Sequence, residues 1–255
     1  MLYLLNPDKK LFMLSSSQLN RYFSDGFLLV ENLLSEEEVD QFLVSQDQNK
    51  NKNYDSYGLK RFVVDDSWSR LANHKKIASI VSELIDGDPR IVQTMYMNKQ
   101  PKGGTGVALH QDTHYIKNEP NTLMACWIAL SDTDQKNGGL CVVPGSHKRP
   151  LYKTEPPSDE KEHNRWVQNY KMRDEQGKEW VESMHSHQII GLDPGEIQYL
   201  SVARGSGVFF TSMTIHGSFA NKSSNRPRLA FATHYVKDGT WIYRQDIQDT
   251  IAVQI

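Results

Sequence analysis

Between Ile91 and Val236 the chain breaks into about eight short β-like runs separated by Gly, Pro and Asn, and this texture restricts the fold most. The spacing predicts strands over Ile91–Met97, Val107–Asp112, Leu123–Leu130, Leu140–Val143, Ile189–Leu192, Ile197–Leu200, Val208–Ser212 and Leu229–Val236. Several are apolar at consecutive positions, as strands covered on both faces must be. The stretch from about residue 15 to 90 reads mostly as helix. Ser17 is the predicted cap of an amphipathic turn, Leu19–Phe23, that stops at Asp25-Gly26, before a short apolar strand at Phe27–Val30. Ser35-Glu36-Glu37-Glu38 is a capping box opening a helix that turns Val39, Phe42 and Leu43 inward. A polar loop follows over Gln46–Asn53, and a further helix over His74–Ile85 stops before Gly87-Asp88-Pro89. Helices followed by strands, with no internal repeat, predict a mainly β fold with flanking helices: a double-sheet jelly roll. Residues 1–255 would form one domain, with the jelly roll over about 91–236.

One long insertion, about residues 149–187, is dense in charge yet carries Trp166, Tyr170, Met172 and Trp180. Charge alone would make it solvated surface. Aromatics embedded among the charges make it a candidate substrate lid, with Trp166, Tyr170 and Trp180 as the residues to cover an organic molecule. With 29 basic against 31 acidic side chains, the chain lacks the basic excess of a nucleic-acid binder. No run approaches a membrane span, and Asn6-Pro7-Asp8-Lys9-Lys10 interrupts the apolar start before a signal segment could form. Cys126 and Cys141 sit alone in apolar runs, which fits buried thiols in a reducing compartment rather than a disulfide framework. The expectation is a cytoplasmic protein whose partner is a small molecule, neither nucleic acid nor membrane.

The chemistry-bearing signal is His110-Gln111-Asp112 with His216 far downstream. On a strand His110 and Asp112 would project to one side and Gln111 to the other. Two imidazoles and one carboxylate make the facial triad of non-heme Fe(II) oxygenases, which leaves half of an octahedron open for co-substrate and O₂. Nine histidines among 255 residues make a lone His-x-Asp a common accident, so context decides. The pair closes a predicted strand after Gly103-Gly104-Thr105-Gly106, and His216 follows another, as a ligand returning across a jelly roll should. Arg228 opens the apolar run Leu229–Val236, where a guanidinium needs either a protein acid or a bound carboxylate to grip.

Several segments resemble the phytanoyl-CoA dioxygenase family of Fe(II)- and 2-oxoglutarate-dependent oxygenases. They are Thr94-Met95-Tyr96-Met97-Asn98-Lys99, Leu109-His110-Gln111-Asp112-Thr113-His114-Tyr115, Cys126-Trp127-Ile128-Ala129-Leu130, Asn137-Gly138-Gly139-Leu140, Val143-Pro144-Gly145-Ser146-His147 and His216-Gly217-Ser218. The resemblance runs in order from about Phe23 to Tyr235 and weakens in the insertion. It implies a double-stranded β-helix of the cupin-like type. It also implies iron held by His110, Asp112 and His216, with 2-oxoglutarate chelating the metal and Arg228 gripping its distal carboxylate. Arg226 is the competing arginine. By the same match Met95 and Trp127 line the co-substrate pocket, and Ser218 or Gln111 contacts it; Trp127 reads equally as a core aromatic. The reaction implied consumes O₂, releases succinate and CO₂, and is supported by ascorbate. The carboxylate at Asp112 favours hydroxylation or a related oxidation (desaturation, ring closure) over halogenation, because related halogenases carry a small residue there.

His114 shares strand parity with the triad and reads as a group supporting it or facing substrate. His147 reads as structural, His185, His187 and His163 as surface or substrate-facing, and His234 as a satisfied core residue. Lys148, Arg149 and Lys153 offer only a thin basic patch for a CoA ester, which favours a polar small metabolite or natural-product intermediate. The alternatives are an acyl-CoA hydroxylase, a non-catalytic metal- or ligand-binding jelly roll, and a zinc hydrolase built on the same three ligands.

Overall fold

A computed structural model describes residues 12–48, 59–60 and 67–253. Four helices, α1 (Ser16–Asp25), α2 (Glu36–Gln48), α3 (Ser67–Ala72) and α4 (Lys75–Leu84), precede most of the strands. The α1 cap is Ser15, not Ser17: Ser15 and Gln18 exchange the two bonds of a capping box. At α2 the box expected from the sequence is present, with Glu38 N–H donating to Ser35 Oγ and Ser35 N–H to Glu38 Oε2. The polar loop expected from Gln46 starts later, because Gln46–Gln48 close α2, and the rest of it lies outside the described residues.

The strands form two principal sheets. The larger has seven strands, in the order Phe27–Val30, Gly207–Thr211, Met124–Ala129, Arg228–Lys237, Pro89–Lys99 and Ile251–Ala252, with Leu59–Lys60 also paired to Pro89–Lys99. The smaller has four, in the order Gln198–Tyr199, Leu140–Val142, His216–Ser218 and Val107–His110. Apart from Leu59–Lys60 beside Pro89–Lys99, sequence neighbours are not sheet neighbours in these two sheets, which is the crossing pattern of a double-stranded β-helix; the sheets do not close into a barrel.

The unbroken apolar run at 124–129 is explained by its two faces. Met124, Cys126 and Ile128 point outward, into a core with Val39 and Phe42 of α2, Trp68 of α3 and Ile77, Ile80 and Val81 of α4. Ala125, Trp127 and Ala129 point inward, against Leu140, Val142, Val208 and Phe210. In the outer core Phe42, Trp68, Tyr96 and Phe231 pack edge-on or tilted at 5.1–6.4 Å. Such aromatics bury large apolar areas and fix the helices on the sheet. Both cysteines are buried and unbridged.

The inner sheet comes together tightly at one point. A Cβ on Gly106 would meet Ser218 O at 1.9 Å, so only glycine lets the strand leading to His110 approach the strand carrying His216. The insertion contains more regular structure than its charge suggests. Val167–Arg173 and Glu179–His185 form an antiparallel ribbon. Residues 241–248 pin one end of it: Arg173 N–H donates to Tyr243 O at 2.8 Å and Trp241 Nε1–H to Arg173 O at 2.9 Å. Among the described residues no helix is long and apolar enough to cross a membrane.

Candidate metal and co-substrate site

His110 closes its strand directly opposite His216 in the sheet register. Asp112 is not on the strand, as the parity argument assumed; it opens a tight 3-10 turn, Asp112–His114, that swings its carboxylate back. The three side chains are buried, and one donor atom from each lies within 4.8 Å of the others. Asp112 Oδ1 lies 3.3 Å from His110 Nε2 and 3.6 Å from His216 Nε2. His110 Nδ1 donates to Ala108 O at 2.7 Å and His216 Nδ1 to Thr214 O at 3.0 Å. A carbonyl only accepts, so each Nδ1 carries a proton and each Nε2 is left facing the Asp112 carboxylate.

Protonation suits a cation as well. Burial brings the His216 imidazole down to about 4, so it is neutral at pH 7. Burial pushes the Asp112 carboxyl up, but the His216 and His234 imidazoles outweigh it and hold the group well below the usual carboxylate range. A neutral His216 beside an ionised Asp112 is the pairing of states that metal ligation requires.

His234, a core residue on the sequence reading, orients this carboxylate. Its Nε2 lies 3.3 Å from Asp112 Oδ2, and its Nδ1 lies 3.3 Å from Gln93 Nε2. An ionised carboxylate only accepts, so Nε2 carries the proton and Nδ1 accepts from the amide. No local pattern announces this contact, which spans 122 positions of sequence. Gln111 points away from the triad and is fully buried. Its amide donates to Met213 O and accepts from Tyr152 N–H, both at 2.9 Å, so it braces three segments and has no free end for a co-substrate.

Arg228 and Arg226 are sorted by their partners. Arg226 binds both oxygens of Asp134, at 3.0 and 2.7 Å, near the surface. Arg228 is 2 % exposed, donates from Nε to Gly138 O at 3.1 Å, and keeps a buried Nη1 with no partner among the described residues. Burial draws its guanidinium down to about 9, still protonated at neutral pH. Its Cζ lies 6.0 Å from the Trp127 ring, and Met95 packs against the same inner cluster. Ser218 is buried nearby, where Lys99 Nζ reaches its Oγ at 2.8 Å. An unpaired buried cation beside an apolar wall is chemically suited to the far carboxylate of a dicarboxylic acid.

On the other side of the triad the rings form a chain. Tyr115 lies 5.2 Å from His110, 4.8 Å from His187 and 5.7 Å from Trp166. His187 in turn lies 4.8 Å from His114 and 4.4 Å from His185. Burial, then the neighbouring His114 and His185, brings His187 down to about 3, and burial lowers His114 too. Of the three insertion aromatics, Trp166 joins this chain through Tyr115. Tyr170 stacks on Arg244 at 3.9 Å and Trp180 packs on Tyr243 at 6.2 Å, which anchors the ribbon to the C-terminal segment.

The phytanoyl-CoA dioxygenase (PhyH) family model matches residues 22–230. A Caenorhabditis elegans phytanoyl-CoA dioxygenase domain-containing protein 1 homolog is 26% identical over 242 residues, covering 94% of this chain and 75% of its own. The peroxisomal phytanoyl-CoA dioxygenase of Rattus norvegicus is 28% identical over 253 residues, covering 88% of this chain and 68% of its own. Among solved structures, the non-heme alpha-ketoglutarate-dependent epimerase SnoN of nogalamycin biosynthesis superposes with a TM-score of 0.66 at 21% identity, covering 89% and 82% of the two chains. EctD from S. alaskensis, with 2-oxoglutarate and 5-hydroxyectoine, gives 0.63 at 16% identity, covering 88% and 76%. These likenesses establish a shared fold. With the family model running from within α1 to the start of the Arg228–Lys237 strand and containing all three triad positions, the chain belongs to the phytanoyl-CoA dioxygenase family of iron- and 2-oxoglutarate-dependent oxygenases.

Proposed function

We propose that this chain hydroxylates a small polar organic molecule, with His110, Asp112 and His216 holding Fe(II) and Arg228 holding the distal carboxylate of 2-oxoglutarate. The observation that carries this reading is Arg228, buried with an Nη1 that has no partner, and with no acid against it, among the described residues. A non-catalytic jelly roll has no use for such a group, and a hydrolase on the same ligands would need no dicarboxylate anchor. Iron with 2-oxoglutarate and O₂ supplies a two-electron oxidation in which 2-oxoglutarate loses CO₂ to give succinate and one oxygen atom enters a C–H bond of the substrate.

The protein's part is binding and aim. His234 and Gln93 keep the Asp112 carboxylate turned toward the two imidazoles. Trp127 and Met95 wall the co-substrate with apolar surface that excludes water and strengthens the Arg228 contact. Tyr115, His187, His114 and Trp166 form the substrate-side wall, and their uncharged hydrogen-bonding edges suit a polar metabolite better than a long acyl chain. On this reading the insertion belongs to the same domain and acts as a fixed wall, because residues 241–248 clamp the ribbon at its far end.

Incubation with Fe(II), ascorbate and 2-oxoglutarate tests the proposal. Succinate formation stimulated by polar metabolites is the expected result. Stimulation by branched acyl-CoA esters instead would move the substrate class to that of the rat relative's name. Zinc preference without 2-oxoglutarate binding would sink the oxygenase reading. Trp166→Ala should raise the substrate KM about tenfold, the cost of one lost aromatic contact, while the 2-oxoglutarate KM stays put. An equal rise in both would remove Trp166 from the substrate wall.

A further inference from the structure

Lys99 closes the Pro89–Lys99 strand, directly across the sheet register from Arg228. It is 5 % exposed, and its ammonium donates to Gly138 O at 3.1 Å, Ser218 Oγ at 2.8 Å and Phe219 O at 2.8 Å. Gly138 O also accepts from Arg228 Nε at 3.1 Å, so one carbonyl ties the two cations together. Gly138 can present that carbonyl because it is glycine: its φ is +78°, and a Cβ there would meet Phe219 O at 2.6 Å. Among the described residues, every acceptor that the two cations use is neutral. The nearby acid Glu162 is engaged by Lys222 at 2.6 Å. Burial first, then the Arg228 charge, pulls the Lys99 ammonium well below the ordinary lysine range. Two like charges in a dry site are unfavourable until an anion joins them.

The hydrogen-bond count at Ser218 points the same way. Its Oγ accepts from Lys99 Nζ at 2.8 Å and from Val107 N–H at 3.3 Å. With both lone pairs engaged, the hydroxyl's own hydrogen must be donated, and among the described residues it has no acceptor. Arg228 Nη1 is in the same condition. Two unspent donors therefore sit at the ends of one chain, Ser218–Lys99–Gly138–Arg228. The three N–H groups of Lys99 are fully engaged, so it acts through Ser218 and through its charge rather than by touching a ligand.

We propose that Lys99 is a positioning residue that turns the Ser218 hydroxyl into a fixed donor and adds a second positive charge, making the co-substrate site select 2-oxo acids that end in a second carboxylate. The inference rests on the co-substrate reading of Arg228 and goes beyond it in naming what enforces dicarboxylate selectivity.

The test is calorimetric binding to the full chain loaded with Mn(II) in place of iron, so that no turnover occurs. The ligands are 2-oxoglutarate and 2-oxopentanoate, which has the same chain but ends in a methyl group. Lys99→Met should weaken 2-oxoglutarate about 10- to 100-fold, the range for losing a charge-assisted hydrogen bond, and leave 2-oxopentanoate unchanged. In a Ser218→Ala background the same substitution should cost less, because the oxygen it acts through is gone. Equal weakening of both ligands, or unchanged selectivity, overturns the proposal. If Lys99→Met does not fold, Ser218→Ala alone decides: selective loss of 2-oxoglutarate supports the role, and equal loss or none defeats it. An unaltered chain that binds no 2-oxoglutarate overturns the co-substrate reading itself, and the role of Lys99 with it.

Discussion

Asp112→Ala should cost more than about a thousandfold in metal affinity and abolish succinate formation, with the fold retained. The carboxylate is the only anionic member of the triad, and the two imidazoles it leaves behind cannot offset a divalent cation's charge. The substitution also strips His234 of its acceptor at 3.3 Å, so the imidazole that orients the site loses its target. Both His110 and His216 keep their Nδ1–H bonds to Ala108 O and Thr214 O, which is why the effect belongs to the ligand set rather than to collapse of the strands. Metal content after dialysis and the far-ultraviolet circular dichroism spectrum check the two halves separately. A variant that still couples 2-oxoglutarate decarboxylation to hydroxylation would remove Asp112 from the ligand set.

Arg228→Met should lower 2-oxoglutarate affinity by about 2–5 kcal/mol, roughly 30- to several-thousand-fold, while metal binding is retained. The same substitution should leave the ligand-free chain as stable or more stable. A buried guanidinium with no acid against it among the described residues is a cost to the fold, and methionine fills the space beside Trp127 with apolar atoms. A structural salt bridge predicts the reverse: lost stability, unchanged binding. Arg226→Met is the control. It breaks a partly exposed pair with Asp134, worth at most about 1 kcal/mol, and should not touch 2-oxoglutarate. Calorimetric binding with thermal denaturation, with and without 2-oxoglutarate, separates these outcomes.

Much of the fold is legible without coordinates, because it rests on local periodicity. The apolar run at 124–129 reads as a strand covered on both faces, and its side chains do divide between the two cores. The Ser35–Glu38 box is a four-residue pattern and forms as written. The triad is legible in part: the residue types and the distant return of His216 can be read, but not how Asp112 reaches the others. Strand parity gives a plausible route, and the structure uses a 3-10 turn instead.

Residue types, their order and the two-faced strands belong to the sequence itself, since propensity and hydrophobic alternation act over a few residues. They determine a helical front, a double-sheet β fold and a set of candidate ligands. Tertiary structure alone decided which polar groups share a buried space. Sheet order placed His234 on Asp112 and Lys99 opposite Arg228, and gave Asp134 to Arg226 rather than to Arg228. It also fastened a charged insertion to the C-terminal segment through Tyr170, Trp180, Arg244 and Tyr243. Such pairings carry no periodic signature, because their energies come from desolvation and charge at separations that only the packed sheets create.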